Sequence, residues 1–210
     1  MTLHRNEPGE HEITAVRANS PVRLMEKFYF EVEIIACKTD CLGIGFGYQK
    51  CELHRMPGWD DNTWGLHADD GGLFHGYGWP READDDWTYT TGDVIGCCID
   101  SAQRKATFTK NGIGLGESSF LLPRSRQNKR GNQLCAKTNL TLFACVGTCF
   151  TGITGRVFPM VALGVGDMVV GNFGNVKDAP FRYPDGRNWV HTSEEVIEQV
   201  DRSSRDEDEE

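Results

Sequence analysis

The 210 residues carry a net charge of −9, and 39% of them are apolar. That length builds one domain with a full core, and no stretch approaches the ~20 apolar residues of a membrane-spanning helix. Met1 to Glu12 contains no apolar segment of the secretory kind, so the cytoplasm or the nucleus is the expected compartment.

In chain order, residues 1–11 read as an N-terminal extension, and the first strand-like run is Glu12 to Arg17, with Ile13 and Ala15 on one face. Phe28 to Ala36 alternates strongly, with Phe28, Phe30, Val32 and Ile34 on one side and Tyr29, Glu31 and Glu33 on the other. Cys41 to Gly47 has glycine at every other position, so Leu42, Ile44 and Phe46 face one way. The glycine side admits the close approach of another backbone or a large side chain. Further strands are expected at Thr63 to His67, Gly72 to Gly76, Asp93 to Ile99, Lys105 to Lys110, Val157 to Leu163 and Met168 to Phe173. Asp93 to Lys110 reads as a meander turning at Asp100 to Arg104 and closed by Asn111-Gly112. The stretch 121–155 starts basic and polar and turns apolar, which suits a loop followed by an extra hairpin turning near Gly147. Thr192 to Val200 suits a short capped helix, and Asp206 to Glu210 an acidic, solvated tail. Many short strands with almost no helix predict an all-β, two-sheet antiparallel sandwich.

The eight cysteines suit a reducing compartment. Cys97 and Cys98 are neighbours in one strand and must point to opposite faces. Cys37/Cys41 and Cys145/Cys149 have zinc-like spacing, but apolar residues flank all four, and small buried hydrophobes are the expectation. His67 and His75, on neighbouring strands near Asp69 and Asp70, could meet as a metal or acid–base pair; histidines bonding a turn are the expectation instead. No cofactor and no metal are predicted. The two glycine-rich runs, Gly43 to Gly47 and Gly112 to Gly116, open no helix and so offer no phosphate cradle. Cys97 is the best nucleophile candidate, yet a central-strand position would bury it and leave it inert. The basic run Arg124 to Arg130 lacks interleaved aromatics, so nucleic acid is not expected as a partner.

Between Met56 and Trp87 the chain gathers Trp59, Trp64, Phe74, Tyr77, Trp79 and Trp87 with Asp60, Asp61, Asp69, Asp70 and Asp84 to Asp86. Aromatics on loops carried by a rigid sheet, rimmed by acid, describe a recognition surface better than an active site.

The run Gly92-Asp-Val-Ile-Gly-Cys97 followed by Phe108-Thr-Lys-Asn-Gly112 resembles the core of SPRY domains, most closely those of Ran-binding protein M type. Tyr29-Phe-Glu-Val-Glu33, Leu42-Gly-Ile-Gly45, Pro57-Gly-Trp59, Trp64-Gly-Leu-His67, Asp69-Asp-Gly71, Phe158-Pro159 and Asn172-Phe-Gly174 match in the family's order. The resemblance implies a sandwich over about 12–190, interrupted at about 121–155 and followed at 191–210 by the helix and tail. It implies a binding module and no enzyme: one that takes a short linear peptide or loop of a partner protein, as scaffold or recognition part of a ubiquitin-ligase assembly, its partners being clients or fellow subunits. The alternatives are a stand-alone adaptor or effector that competes for partner proteins, and a small enzyme. Carried over by position, the peptide cleft comprises Arg17, Ala18 and Asn19, then Phe74, then Gly164, Val165 and Gly166, with Trp59 beside them. Phe74 and Val165 depart from a tyrosine and a tryptophan, respectively.

Overall fold

The computed structural model describes residues 1–5, 13–22, 27–76, 85–115, 149–174, 181–182 and 197–198. Two antiparallel sheets face each other. The first contains β1 (Thr2–His4), β12 (Met168–Asn172), β3 (Lys27–Ala36), β7 (Val94–Asp100), β8 (Lys105–Lys110) and β10 (Phe150–Thr151) in that order, with β9 (Ile113–Gly114) also on β8. The second runs β13 (Ile197–Glu198), β2 (Thr14–Ala18), β11 (Phe158–Leu163), β4 (Gly43–Gly47), β5 (Thr63–His67) and β6 (Leu73–Phe74). The expected sandwich is the observed one.

Period-two alternation puts the core between the sheets. Phe28, Phe30, Val32 and Ile34 meet Ile95, Cys97, Ile99 and Phe108 from the first sheet. Ile44, Phe46, Trp64, Leu66, Val161 and Leu163 come from the second. Phe46 stacks on Trp64 at 5.2 Å and meets Phe150 edge-on at 6.3 Å. Tyr89 is buried with them, its hydroxyl donating to the Leu66 carbonyl at 2.8 Å. Cys97 lies in this core, while Cys98 points the other way, against Tyr29 and Phe181. The meander closes as expected. Asn111 and Gly112 both adopt positive φ, 52° and 82°, the conformation of a type I′ hairpin turn between β8 and β9.

Three elements differ from expectation. Thr2–His4, expected in an extension, forms a strand on β12, and Arg5 behind it is buried, donating to the Leu163 carbonyl at 3.2 Å. Three residues are too short for alternation to register in a sequence. Of the helix expected over Thr192 to Val200, only Ile197–Glu198 are described, and these pair as a strand with Ala18 and Arg17 on the free edge of β2. That edge offers unpaired amides and carbonyls, which a β-branched residue satisfies well as a strand. The outer face of the first sheet is not the solvated one its Glu31 and Glu33 suggest. Glu31 is buried, accepting from the Tyr29 hydroxyl at 3.0 Å and the Arg182 amide at 2.6 Å, while the Arg182 guanidinium pairs with Glu33.

The end of the 121–155 stretch enters the sandwich, with Phe150 in the core and β10 on β8. The expected partner strand of that hairpin, the basic run Arg124 to Arg130, Cys145 and the acidic tail lie outside the described residues.

Cys97→Asp is expected to abolish the folded state, because an uncompensated buried charge costs several kcal/mol against a total stability of ~5–15 kcal/mol. Loss of the cooperative melt, read by near-ultraviolet circular dichroism, is the outcome expected.

Candidate functional site

The outer face of the second sheet decides where the loops sit. Gly43, Gly45 and Gly47 of β4 and Gly65 of β5 present no side chains there, and Met56-Pro57-Gly58 lies flat on them. A Cβ on Gly65 would fall 2.2 Å from the Pro57 carbonyl oxygen, and one on Gly45 would fall 1.9 Å from the Trp64 carbonyl oxygen and 2.9 Å from the Pro57 ring. The glycine face expected from sequence therefore receives the 48–62 connection. Trp59 follows on it, half-buried over Ile13, Ala15, Met56, Met160 and Ala162.

His67 ends β5 beneath this cover and is 2% exposed. Its Nε2 bonds the Pro57 carbonyl at 2.8 Å, Phe74 stacks on the ring at 3.9 Å, and Trp59 meets it edge-on at 5.7 Å. Burial lowers its pKa from 6.5 to about 4, against the raising influence of the Pro57 bond and Asp70. His75 does not join it. That ring sits by the other end of β5, donating Nδ1–H to the Thr63 carbonyl at 2.9 Å and stacking on Trp64 at 4.4 Å. Each histidine bonds a loop or strand carbonyl, and the His67–His75 pair is not formed.

The carried-over cleft is dispersed. Arg17 is opposite Met160, and Thr14 is opposite Leu163. Asn19 lies two residues beyond the first pair and Gly164 just beyond the second, so they sit at opposite ends of the sheet, roughly 20 Å apart at ~3.3 Å per residue. Phe74 is on β6, across β11, β4 and β5 from β2, and it is 3% exposed beneath Gly58. Arg17 is committed to the fold: its Nη1 donates to the carbonyls of Tyr48 and Gln49, and the guanidinium covers the Phe158 ring at 5.1 Å. Ala18 is half-buried and Asn19 exposed.

What does share one end is Trp59, Val165 and the acid pair. Ala162 is opposite Gly43 and Gly43 opposite His67, so the Gly164-Val165-Gly166 loop, Trp59 and Asp69-Asp70 lie at the same end of the second sheet. The loop is rigid. Buried Asp167 accepts from the amides of Lys38 (2.6 Å) and Gly164 (2.8 Å) and from the Thr39 hydroxyl (2.7 Å), and the Gly166 amide donates to the Arg5 carbonyl at 2.8 Å. The Gly164–Thr39 contact leaves no room for a Cβ. Sequence reading missed Asp167 and Arg5, because their partners are distant in sequence. Tyr77, Trp79 and Asp84 lie outside the described residues.

Residues 27–125 match the SPRY domain family model. The chain carries a SPRY domain. Two solved SPRY structures share the sandwich. A human SPRY domain is 22% identical with a TM-score of 0.58, covering 82% of this chain and 91% of that one. The SPRY domain of human HERC1 is 15% identical with a TM-score of 0.54, covering 80% and 87%. Ran-binding protein 9 of Xenopus laevis is 41% identical over 116 residues, 53% of this chain and 20% of its own length. The Ran-binding protein M homolog of Arabidopsis thaliana is 33% identical over 110 residues, 51% of this chain and 23% of its length. The chain thus spans about a fifth of the curated relatives it matches. SPRY domains are protein-interaction modules, and the best nucleophile candidate in this one, Cys97, is fully buried with its thiol pKa pushed well up by desolvation.

Two outcomes follow. Phe74→Ala should lower the melting temperature strongly, since emptying a buried Phe site costs ~3–5 kcal/mol. His67 has a folded-state pKa below its unfolded value, so its contribution is present above about pH 6.5 and is lost as pH falls toward 4. In metal-free buffer the melting temperature of His67→Gln should therefore fall less than that of the parent over this interval; equal falls would show that His67 does not carry the acid sensitivity.

Proposed function

We propose that the domain recognises a short linear segment or loop of a partner protein, using the end of the second sheet where Trp59, Val165 and Asp69-Asp70 meet. The observation that carries this reading is the build of that end. A half-buried indole packed over Ile13, Ala15, Met160 and Ala162 shares one end of the sheet with a loop held by Asp167, so both contacts are pre-ordered and lose little entropy on binding. Its acidic rim, Asp69 and Asp70 with Asp40 nearby, favours a polar or basic segment. The Arg17–Asn19 end of β2 is a second, separate contact region.

The module serves as a recognition or scaffold part of a ubiquitin-ligase assembly of the Ran-binding protein M type, in the cytoplasm or nucleus, choosing a client or a fellow subunit. The likeness to Ran-binding proteins over the sandwich supports this, as does the shared order of their motifs. A stand-alone adaptor that competes for the same partners would use the same end.

Affinity capture with the full chain, read by mass spectrometry, identifies the partner. Val165→Asp should then weaken it by ~1–3 kcal/mol, the range of interface hot spots, with the melting curve unchanged. If Val165→Asp keeps the partner and Asn19→Arg loses it, the contact is at the opposite end and this reading fails.

A further inference from the structure

His67, Asp69 and Asp70 form a cluster whose two carboxylates the recognition reading takes only as an acidic rim and whose histidine it does not use. One ligand atom from each lies within 4.8 Å of the other two. A carbonyl only accepts, so the bond to Pro57 fixes the proton on Nε2 and leaves Nδ1 as the bare lone pair of a buried ring. Among the described residues no hydrogen bond to that nitrogen is formed. A backbone carbonyl on one ring nitrogen is the arrangement that orients metal-ligating histidines through the other. The Phe74 and Trp59 contacts fix the ring plane as well.

The carboxylates take backbone amides of their own turn and no cation. Among the described residues neither Asp69 nor Asp70 forms an ion pair, although Asp70 accepts from the Gly72 amide at 2.7 Å, which shapes the turn.

We propose that His67, Asp69 and Asp70 bind a divalent cation of borderline hardness, of the manganese–zinc class, at the rim of the second sheet. One imidazole nitrogen with two carboxylates matches that class: all-oxygen cages suit calcium and magnesium, and thiolate sets suit softer ions. Ligand atoms ~2.0–2.2 Å from a shared ion lie ~3–4 Å apart, so a small closure of the turn completes the site. Asp69 is exposed, so the remaining coordination positions open to water or to an oxygen of a bound partner. The site shares Asp69 and Asp70 with the proposed recognition end. Metal titration reads it without a partner, whereas the partner reading is tested at Val165, so the two failures are distinguishable.

The test is a titration of the full chain with Mn²⁺, following the free-ion electron paramagnetic resonance signal and the melting temperature. One Mn²⁺ per chain is expected, displaced by Zn²⁺. Asp69→Asn, at an exposed position, should fold normally and weaken Mn²⁺ binding by roughly tenfold or more, as should Asp70→Asn, whose amide oxygen still accepts from Gly72. Asp61→Asn, exposed and beside the Thr63 end of β5 rather than the His67 end, should bind as the parent does. Absence of stoichiometric binding, or unchanged affinity in Asp69→Asn, overturns the proposal.

Discussion

The outer face of the second sheet can be covered only because its middle has no side chains. Glycines on β4 and β5 make a bare strip of pleat, and Pro57 rests on it at backbone distance. Everything the site depends on follows from that approach. The Pro57 carbonyl comes within reach of His67, Gly58 closes over Phe74, and Trp59 is delivered to the edge of the sheet. A methyl group on Gly45 or Gly65 would lift the connection off the sheet and release all three at once.

The two faces of the sandwich are finished by different physics. The second sheet buries its outer side by apolar packing of Met56, Trp59, Met160 and Ala162. The first uses charge, with Tyr29, Glu31 and Glu33 held under Phe181 and Arg182. Tyr29 is held well above the usual phenol pKa, first by burial and then by Glu31, so it stays a neutral donor to that carboxylate. A buried carboxylate with two donors is tolerated where a bare one would not be.

The strands were legible in the sequence wherever alternation ran for five residues or more. Lys105–Lys110 and Thr63–His67 match residue for residue, and β3 differs by one. Two short strands were legible, Leu73–Phe74 within Gly72 to Gly76 and Phe150–Thr151 as part of the extra hairpin. Thr2–His4 and Ile197–Glu198 were not: they exist because a distant edge is free to pair, and no local pattern encodes a distant edge. The candidate site was legible in its parts but not in its assembly. Trp59 and the Asp69-Asp70 turn stood out by composition, and His67 by its neighbours. That Arg17 would be consumed by the Tyr48 and Gln49 carbonyls, and Phe74 by a stacked histidine, depends on the path of a loop, which alternation does not specify.

The described residues on either side of 116–148 are both fastened to β8. The Leu115 amide bonds the Phe108 carbonyl and the Cys149 amide the Ala106 carbonyl, with Leu115 and Phe150 both buried. The chain between them is therefore closed by a fixed clasp on β8, whatever its length. Loop closure grows only logarithmically, about 0.6 kcal/mol for each doubling. This edge is a place where the protein can acquire, lose or exchange sequence at almost no thermodynamic consequence to the sandwich. Lineages that differ here in length and charge would still share one fold, and the clasp makes it a natural port for grafting a foreign segment.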